Sequence, residues 1–223
     1  MTALLRYQTA LLLRSQRWLP PFLLYVVFLG ISVQGGQPLL DSLGWTSAVL
    51  LPVAAWLVRI CVTGEPPAAR TVVAAAVGPA RAHLAAILTA LGAAALLGTV
   101  ATAAVVLISD PVSADHQHRI PVPEATAAGF LAALTCALLG TAVGALTVWP
   151  VLRSTGRAVP ALLLAALLAL VVSGSPAHAA VTGLVTSSHT AAVSPPLLPL
   201  AAAAVLAAAA AAAACALTSR RSP

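Results

Sequence analysis

Six apolar stretches divide this chain, and nearly every basic residue falls on one side of them. The predicted spans run 18–34, 43–62, 82–108, 125–149, 158–173 and 197–217. Most approach the ~20 residues a helix needs to cross a hydrocarbon core of ~30 Å. Threaded back and forth from an inside N-terminus, they place Arg6, Arg14, Arg17, Arg70, Arg81, Arg153, Arg157, Arg220 and Arg221 together. Asp41, Asp110, Asp115 and Glu124 gather on the opposite side, where Arg119 is the one cation. Cytoplasmic loops carry the excess of Lys and Arg, so both termini are expected in the cytoplasm. The expected fold class is an all-α polytopic membrane protein with six transmembrane helices, forming a single domain over residues 1–223.

With 61% hydrophobic residues, 7% charged residues and mean hydropathy +1.01, the chain lacks the polar surface a soluble domain needs. Its net charge of +6 is accounted for by the inside-positive pattern and by attraction to anionic lipid, not by nucleic-acid binding. All 11 basic residues are Arg, which reads as the mark of a GC-rich bacterial genome. Cys61, Cys136 and Cys215 stand alone in separate apolar runs and read as packing residues. The basic N-terminus is not followed by a small-x-small cleavage site, so a retained first span is expected.

Residues 1–17 precede the first span. Leu4, Leu11 and Trp18 recur every seven residues with Tyr7 beside them, while Arg6, Arg14 and Arg17 occupy another arc. That pattern suits an interfacial helix with its apolar side in lipid and its guanidinium groups at the phosphates. Leu5, Leu12 and Leu13 break the stripe, and a basic flank that only sets topology is the alternative. Span two contains Pro52, which should kink it, and Arg59, which can snorkel to the nearby boundary.

The inner loop between spans two and three is punctuated at both ends. Pro66-Pro67 starts a helix, with Glu65 at the positive end of its dipole. Gly78 can close it, and Pro79 both stops it and opens the next. A separate helix of about three turns is expected over residues 66–77. On the outer side, Asp115, His116 and His118 resemble metal ligands but lack a further ligand and a helix scaffold, so a solvated loop is expected. Gly140 and Gly144 form a small-residue ridge for helix packing with an unidentified neighbour. Residues 153–157 form a short inner turn. The fifth apolar run is short for a crossing. After it, Ser175-Pro176 suits the start of a short helix through Ala177–Leu184, and the segment 174–196 reads either as an element dipping into the outer leaflet or as a loop.

No phosphate-cradling loop of the G-x-x-x-x-G-K-[ST] type occurs, nor an H-E-x-x-H or G-x-S-x-G motif, so no catalytic residue, cofactor or metal site is assigned and the chain is not expected to be an enzyme. Asp, Glu and His occupy span ends and loops, which argues against a proton relay.

The whole arrangement resembles the membrane (permease) subunit of a type-2 ATP-binding-cassette exporter. That family is described by a basic elbow helix, six spans with both ends cytoplasmic, a coupling helix after span two and a small outer element between spans five and six. The resemblance implies an elbow over 1–17 and a coupling helix over 66–77. Its local match is Gly64-Glu65, then Arg70-Thr71, then Gly78-Pro79-Ala80-Arg81. Pro66-Pro67 stands where relatives commonly carry a Glu-Arg pair. By resemblance, Glu65, Arg70, Thr71, Gly78 and Arg81 couple the spans to ATPases. The resemblance further implies a second permease chain, identical or different, and two separate ATPase subunits that hold ATP and Mg. It also implies an unidentified exported substrate and a place in the bacterial cytoplasmic membrane. Two other readings stand beside it. One is a haem-exporter-like B subunit of cytochrome c maturation, suggested by His116, His118, His178 and His189. The other is a membrane scaffold or immunity protein held by packing alone.

Overall fold

The computed structural model describes residues 1–148, 155–190 and 192–221. Among them it forms nine helices: α1 (Thr2–Ser15), α2 (Leu19–Ser32), α3 (Leu39–Thr63), α4 (Pro67–Val77), α5 (Pro79–Ile108), α6 (Val122–Thr147), α7 (Thr155–Val171), α8 (Pro176–Thr190) and α9 (Leu197–Arg221). Four of these, α3, α5, α6 and α9, are long and apolar enough to cross a membrane, and this is a helical multi-span membrane protein. The outward surface is greasy, with Phe28, Leu96, Leu107, Leu164 and Val205 all exposed, as immersion in lipid requires.

The expected six spans are met only in part. Helix α2 has 14 residues, about 21 Å of rise, which falls short of a ~30 Å core. The fifth run does not stand alone either. Helices α7 and α8 pass the length and hydropathy test only as a pair, bent by 46° at a short break, which gives a fifth candidate span. Segment 176–190 is thus a packed helix, longer than the one expected over Ala177–Leu184. Ala177 shares a buried cluster with Leu51 and Cys136, near the middle of α3 and α6, while Leu184 packs beside Leu40 and Leu43 at the start of α3. Helix α8 therefore continues away from α7 rather than folding back. His178 Nδ1 lies 2.9 Å from the Leu170 carbonyl and ties the two halves across the break. Residue 149 of the fourth span and residues 150–154, with the turn at Arg153, lie outside the described residues.

Helices α3 and α5 begin several residues ahead of their apolar runs, and α6 likewise. Hydropathy marks where the lipid-facing run starts, whereas a helix also recruits a polar first turn. Asp41 and Glu124 sit in the first turns of α3 and α6, favourable positions beside the positive end of the dipole.

Helix α3 is the hub, and α6 is its main partner. About two thirds of the apolar window of each is buried, against 17% for α9, which lies at the edge. Without a hydrophobic drive between helices in lipid, close van der Waals approach must hold them. The Gly140/Gly144 ridge supplies it, and its neighbour is α3. A Cβ at Gly140 would stand against the Leu51 carbonyl and 2.8 Å from Ala54 Cβ; one at Gly144 would stand 2.7 Å from Val58 Cβ. Several hydroxyls along the helices are satisfied at home, although the buried hydroxyls of Ser42 and Ser188 are not. Thr46, Ser47, Thr89, Thr135, Thr141 and Thr147 each donate to the carbonyl four residues back, at 2.7–2.8 Å. None of these donors needs a partner across the interface.

Candidate functional site

The two ends of the bundle differ in charge. Helices α1 and α4, the last turn of α3, the start of α5 and the end of α9 share one end, which carries Arg6, Arg14, Arg17, Arg70, Arg81 and Arg220. The other end gathers Asp41, Asp110, Asp115, Glu124 and Arg119, and is knitted by backbone bonds from Leu39 N–H to the Asp110 carbonyl (3.0 Å) and from Ala114 N–H to the Ser188 carbonyl (2.9 Å).

At the basic end α4 is built as the punctuation predicts. Pro66 is extended (φ −57, ψ 144) and Pro67 opens the helix without sacrificing a hydrogen bond. Gly78 closes it at φ 88, a backbone state that suits glycine, and its N–H donates to the Ala74 carbonyl at 2.9 Å. Gly78 is also the N-cap of α5, so a single residue separates the two helices. The result is a short rod with a corner at each end.

Two side chains fasten this rod. Arg70 donates through Nη2 to the carbonyls of Val62 (2.9 Å) and Glu65 (3.3 Å). Val62 belongs to the last turn of α3, whose carbonyls lack helical partners and carry the negative end of the dipole. A guanidinium on α4 therefore caps α3. Glu65 is buried, and its Oε1 accepts a hydrogen bond from the Tyr7 hydroxyl of α1 at 2.9 Å. Partial burial, then the bond to Glu65 and its negative charge, raise the Tyr7 pKa above the ordinary phenol value. The carboxylate expected to serve this loop thus faces inward, toward α1.

Helix α1, whose Leu4–Leu11–Trp18 stripe is expected to face lipid, also docks on the bundle by a neighbouring face. Gln8 and Leu12 are its buried residues, and Leu12 joins the main core cluster. The Leu4–Leu11–Trp18 stripe flanks that face rather than centring it. Arg6, Arg14 and Arg17 are exposed, as an interfacial helix needs. Gln16 ends α1 in the left-handed region at φ 53, and Trp18 packs edge-on to Phe22 (5.5 Å between centroids) as the chain turns into α2.

Of the remaining residues singled out, Thr71 is exposed and bonds only the Ala68 carbonyl at 2.8 Å, and Arg81 is exposed at the start of α5. Ala68, Val72 and Ala76 form an exposed apolar stripe at four-residue spacing along α4. Between α4 and the bundle lies a cavity of about 450 Å³, bordered also by Gln8, His83 and Thr218. Sequence reasoning missed Tyr7, Gln8, His83 and Thr218 as contributors. His83, two positions after Arg81 at a span entrance, was the one polar residue whose place could have flagged it.

At the acidic end, Asp115 organises its own loop. Its Oδ1 accepts from the Ser113 hydroxyl and from Gln117 N–H (3.1 Å), while His116 takes a positive φ of 57. The Ser113 hydroxyl first, and the Gln117 amide second, hold the Asp115 pKa below its ordinary value. Among the described residues no group of three or more His, Cys, Asp or Glu side chains could hold a metal ion. The three cysteines are free, Cys61 and Cys136 being buried. Comparison of the chain with protein-family models, with curated proteins and with solved structures finds no match.

Proposed function

We propose that this chain is the permease subunit of an ATP-driven exporter, one half of a membrane domain whose work is supplied by separate ATPase subunits. In this reading α1 is the elbow, α2 the first of six spans, and α7 with α8 a broken fifth span. The basic end faces the cytoplasm, since Lys and Arg are retained there during insertion. The observation that carries the reading is α4. It is a short helix outside the spans with an apolar stripe exposed, tied by Arg70 to the end of α3 and abutting α5 through one residue. Glu65, at the turn between α3 and α4, is tied to α1 by Tyr7. A push on that stripe would reach three helices at once. ATP can drive such a joint only if the partner binds it differently in its nucleotide states, because a ligand shifts an equilibrium only by its differential affinity.

The test is a crosslink. Val72→Cys, in a chain with its three native cysteines replaced by Ala, is treated with a bismaleimide in native membranes, with and without a non-hydrolysable ATP analogue. The expected adduct contains a protein with a phosphate-cradling nucleotide loop, at a yield that changes with nucleotide. A Val72 adduct free of any ATPase, or a yield indifferent to nucleotide, would count against coupling through α4.

A further inference from the structure

The cavity beneath α4 has the size and chemistry of a ligand site, whatever partner α4 engages. Its volume of about 450 Å³ falls within the range of small-molecule sites. Cys61, Val62 and Ala86 give it apolar walls, and Arg70 and Thr71 place α4 along one side. The two formal charges at its edge are opposite and already engaged, Glu65 by the Tyr7 hydroxyl and Arg70 by two carbonyls. A ligand with net charge would find no uncommitted countercharge in these two. What the site does offer is Gln8, which is 3% exposed and borders the cavity. Its amide makes no hydrogen bond to any described residue. That amide offers two donors and an acceptor to an occupant of the cavity. Gln8 also borders a second, much smaller pocket of about 10 Å³, room for one water at most.

We propose that this cavity binds an uncharged amphiphile, whose carbonyl and hydroxyl groups pair with the Gln8 amide while its apolar body lies on Cys61, Val62 and Ala86. Because α4 forms one wall, an occupant holds that helix in the position seen here, and its departure frees α4 to move. The same chemistry could be supplied from the bilayer, as a neutral glycerol ester, or from the aqueous phase.

The full chain in phosphatidylcholine nanodiscs provides the test, with thermal unfolding as the readout. Dioctanoylglycerol is the membrane-borne probe, triacetin the water-soluble one, and dioctanoyl phosphatidic acid the charged control. A saturable rise in Tm with dioctanoylglycerol alone assigns the site to a membrane amphiphile; a rise with triacetin as well assigns it to solutes of either phase. Gln8→Leu should weaken the apparent affinity at least tenfold, and Ala86→Trp, which fills the cavity, should abolish the shift. Monodisperse elution and unchanged helical dichroism establish that each variant is folded; if Ala86→Trp is not, Ala74→Phe fills the same space from α4. The proposal is overturned if neither neutral probe gives a saturable shift, if the phosphatidic acid acts equally well, or if Gln8→Leu and the filled cavity leave the response unchanged.

Discussion

Gly140→Ala and Gly92→Ala are the same chemical change in two helices, and they should move stability in opposite directions. Removing a helix-interior glycine gains about 1 kcal/mol at either site, because alanine leaves the backbone less freedom to lose. At Gly92 nothing lies within 4 Å of the new methyl, so the whole gain is kept. At Gly140 the methyl meets the main-chain carbonyl of Leu51 and sits 2.8 Å from Ala54 Cβ. Backbone has no rotamer to retreat into, so the upper part of the ~1–3 kcal/mol range for overpacking applies. The net effect is a loss of about 1–2 kcal/mol, and the two variants should differ by ~2–3 kcal/mol. At 1.4 kcal/mol per decade, that is about two factors of ten in the unfolding constant. Reversible unfolding in mixed micelles, titrated with dodecyl sulfate and read by circular dichroism, resolves such a gap. If Gly140→Ala matches or exceeds the wild type, or if Gly92→Ala proves the less stable of the two, the close approach of α3 and α6 is not what holds them.

Tyr7→Phe removes the hydroxyl that donates to the Glu65 carboxylate, and should cost about 1 kcal/mol. Because the folded pKa of Tyr7 is raised, the wild-type contribution is complete below the ordinary value of 10.0 and fades as pH climbs through the raised one; the variant should lack that alkaline slope in a stability–pH profile. For Asp115 the sign is reversed. Its lowered folded pKa makes the turn's contribution present above the ordinary value of 3.8 and lost as pH falls through the folded one, which hydrogen exchange of the Gln117 amide should follow; in Asp115→Ala that amide should exchange quickly at every pH. His178→Phe should cost about 1 kcal/mol and speed proteolysis between α7 and α8, since the ring's bond to the Leu170 carbonyl spans the break; equal cleavage rates would refute that role.

What could be read from the chain is what is local. The bounds of α4 follow from Pro66, Pro67 and Gly78 because those residues act on the backbone directly, and the structure begins that helix within one residue of the predicted start. The four long helices α3, α5, α6 and α9 were legible as spans because an apolar run in lipid has one economical conformation. Contacts between distant positions were not. Tyr7 and Glu65 lie 58 residues apart, and nothing in the α1 pattern points to the pairing. The docked face of α1 was not legible for a physical reason: Gln8 is buried against the bundle, so hydropathy ranks that face below the leucine stripe beside it. The α7–α8 pair was hidden by its own composition, since the small and polar residues of α8 that pack on α3 also read as a loop. The partner of Gly140 and Gly144 required the third dimension altogether.

The glycine contacts along α6 have a mechanical meaning. Gly129 meets Leu43, Gly140 meets Ala54, and Gly144 meets Val58, so α3 and α6 run parallel and stay in step along most of their length. Pro52 interrupts the internal bonding of α3 between the first of these contacts and the other two. On its own α3 would hinge there. Clasped above and below the proline by one continuous neighbour, it is splinted, and the pair behaves as a single spar of about 37 Å. A displacement applied where α3 gives way to α4 would then arrive at the far end with little lost to bending. Yielding would fall to the unsplinted corners: the left-handed turn at Gln16, the one-residue junction at Gly78, and the gap that His178 bridges.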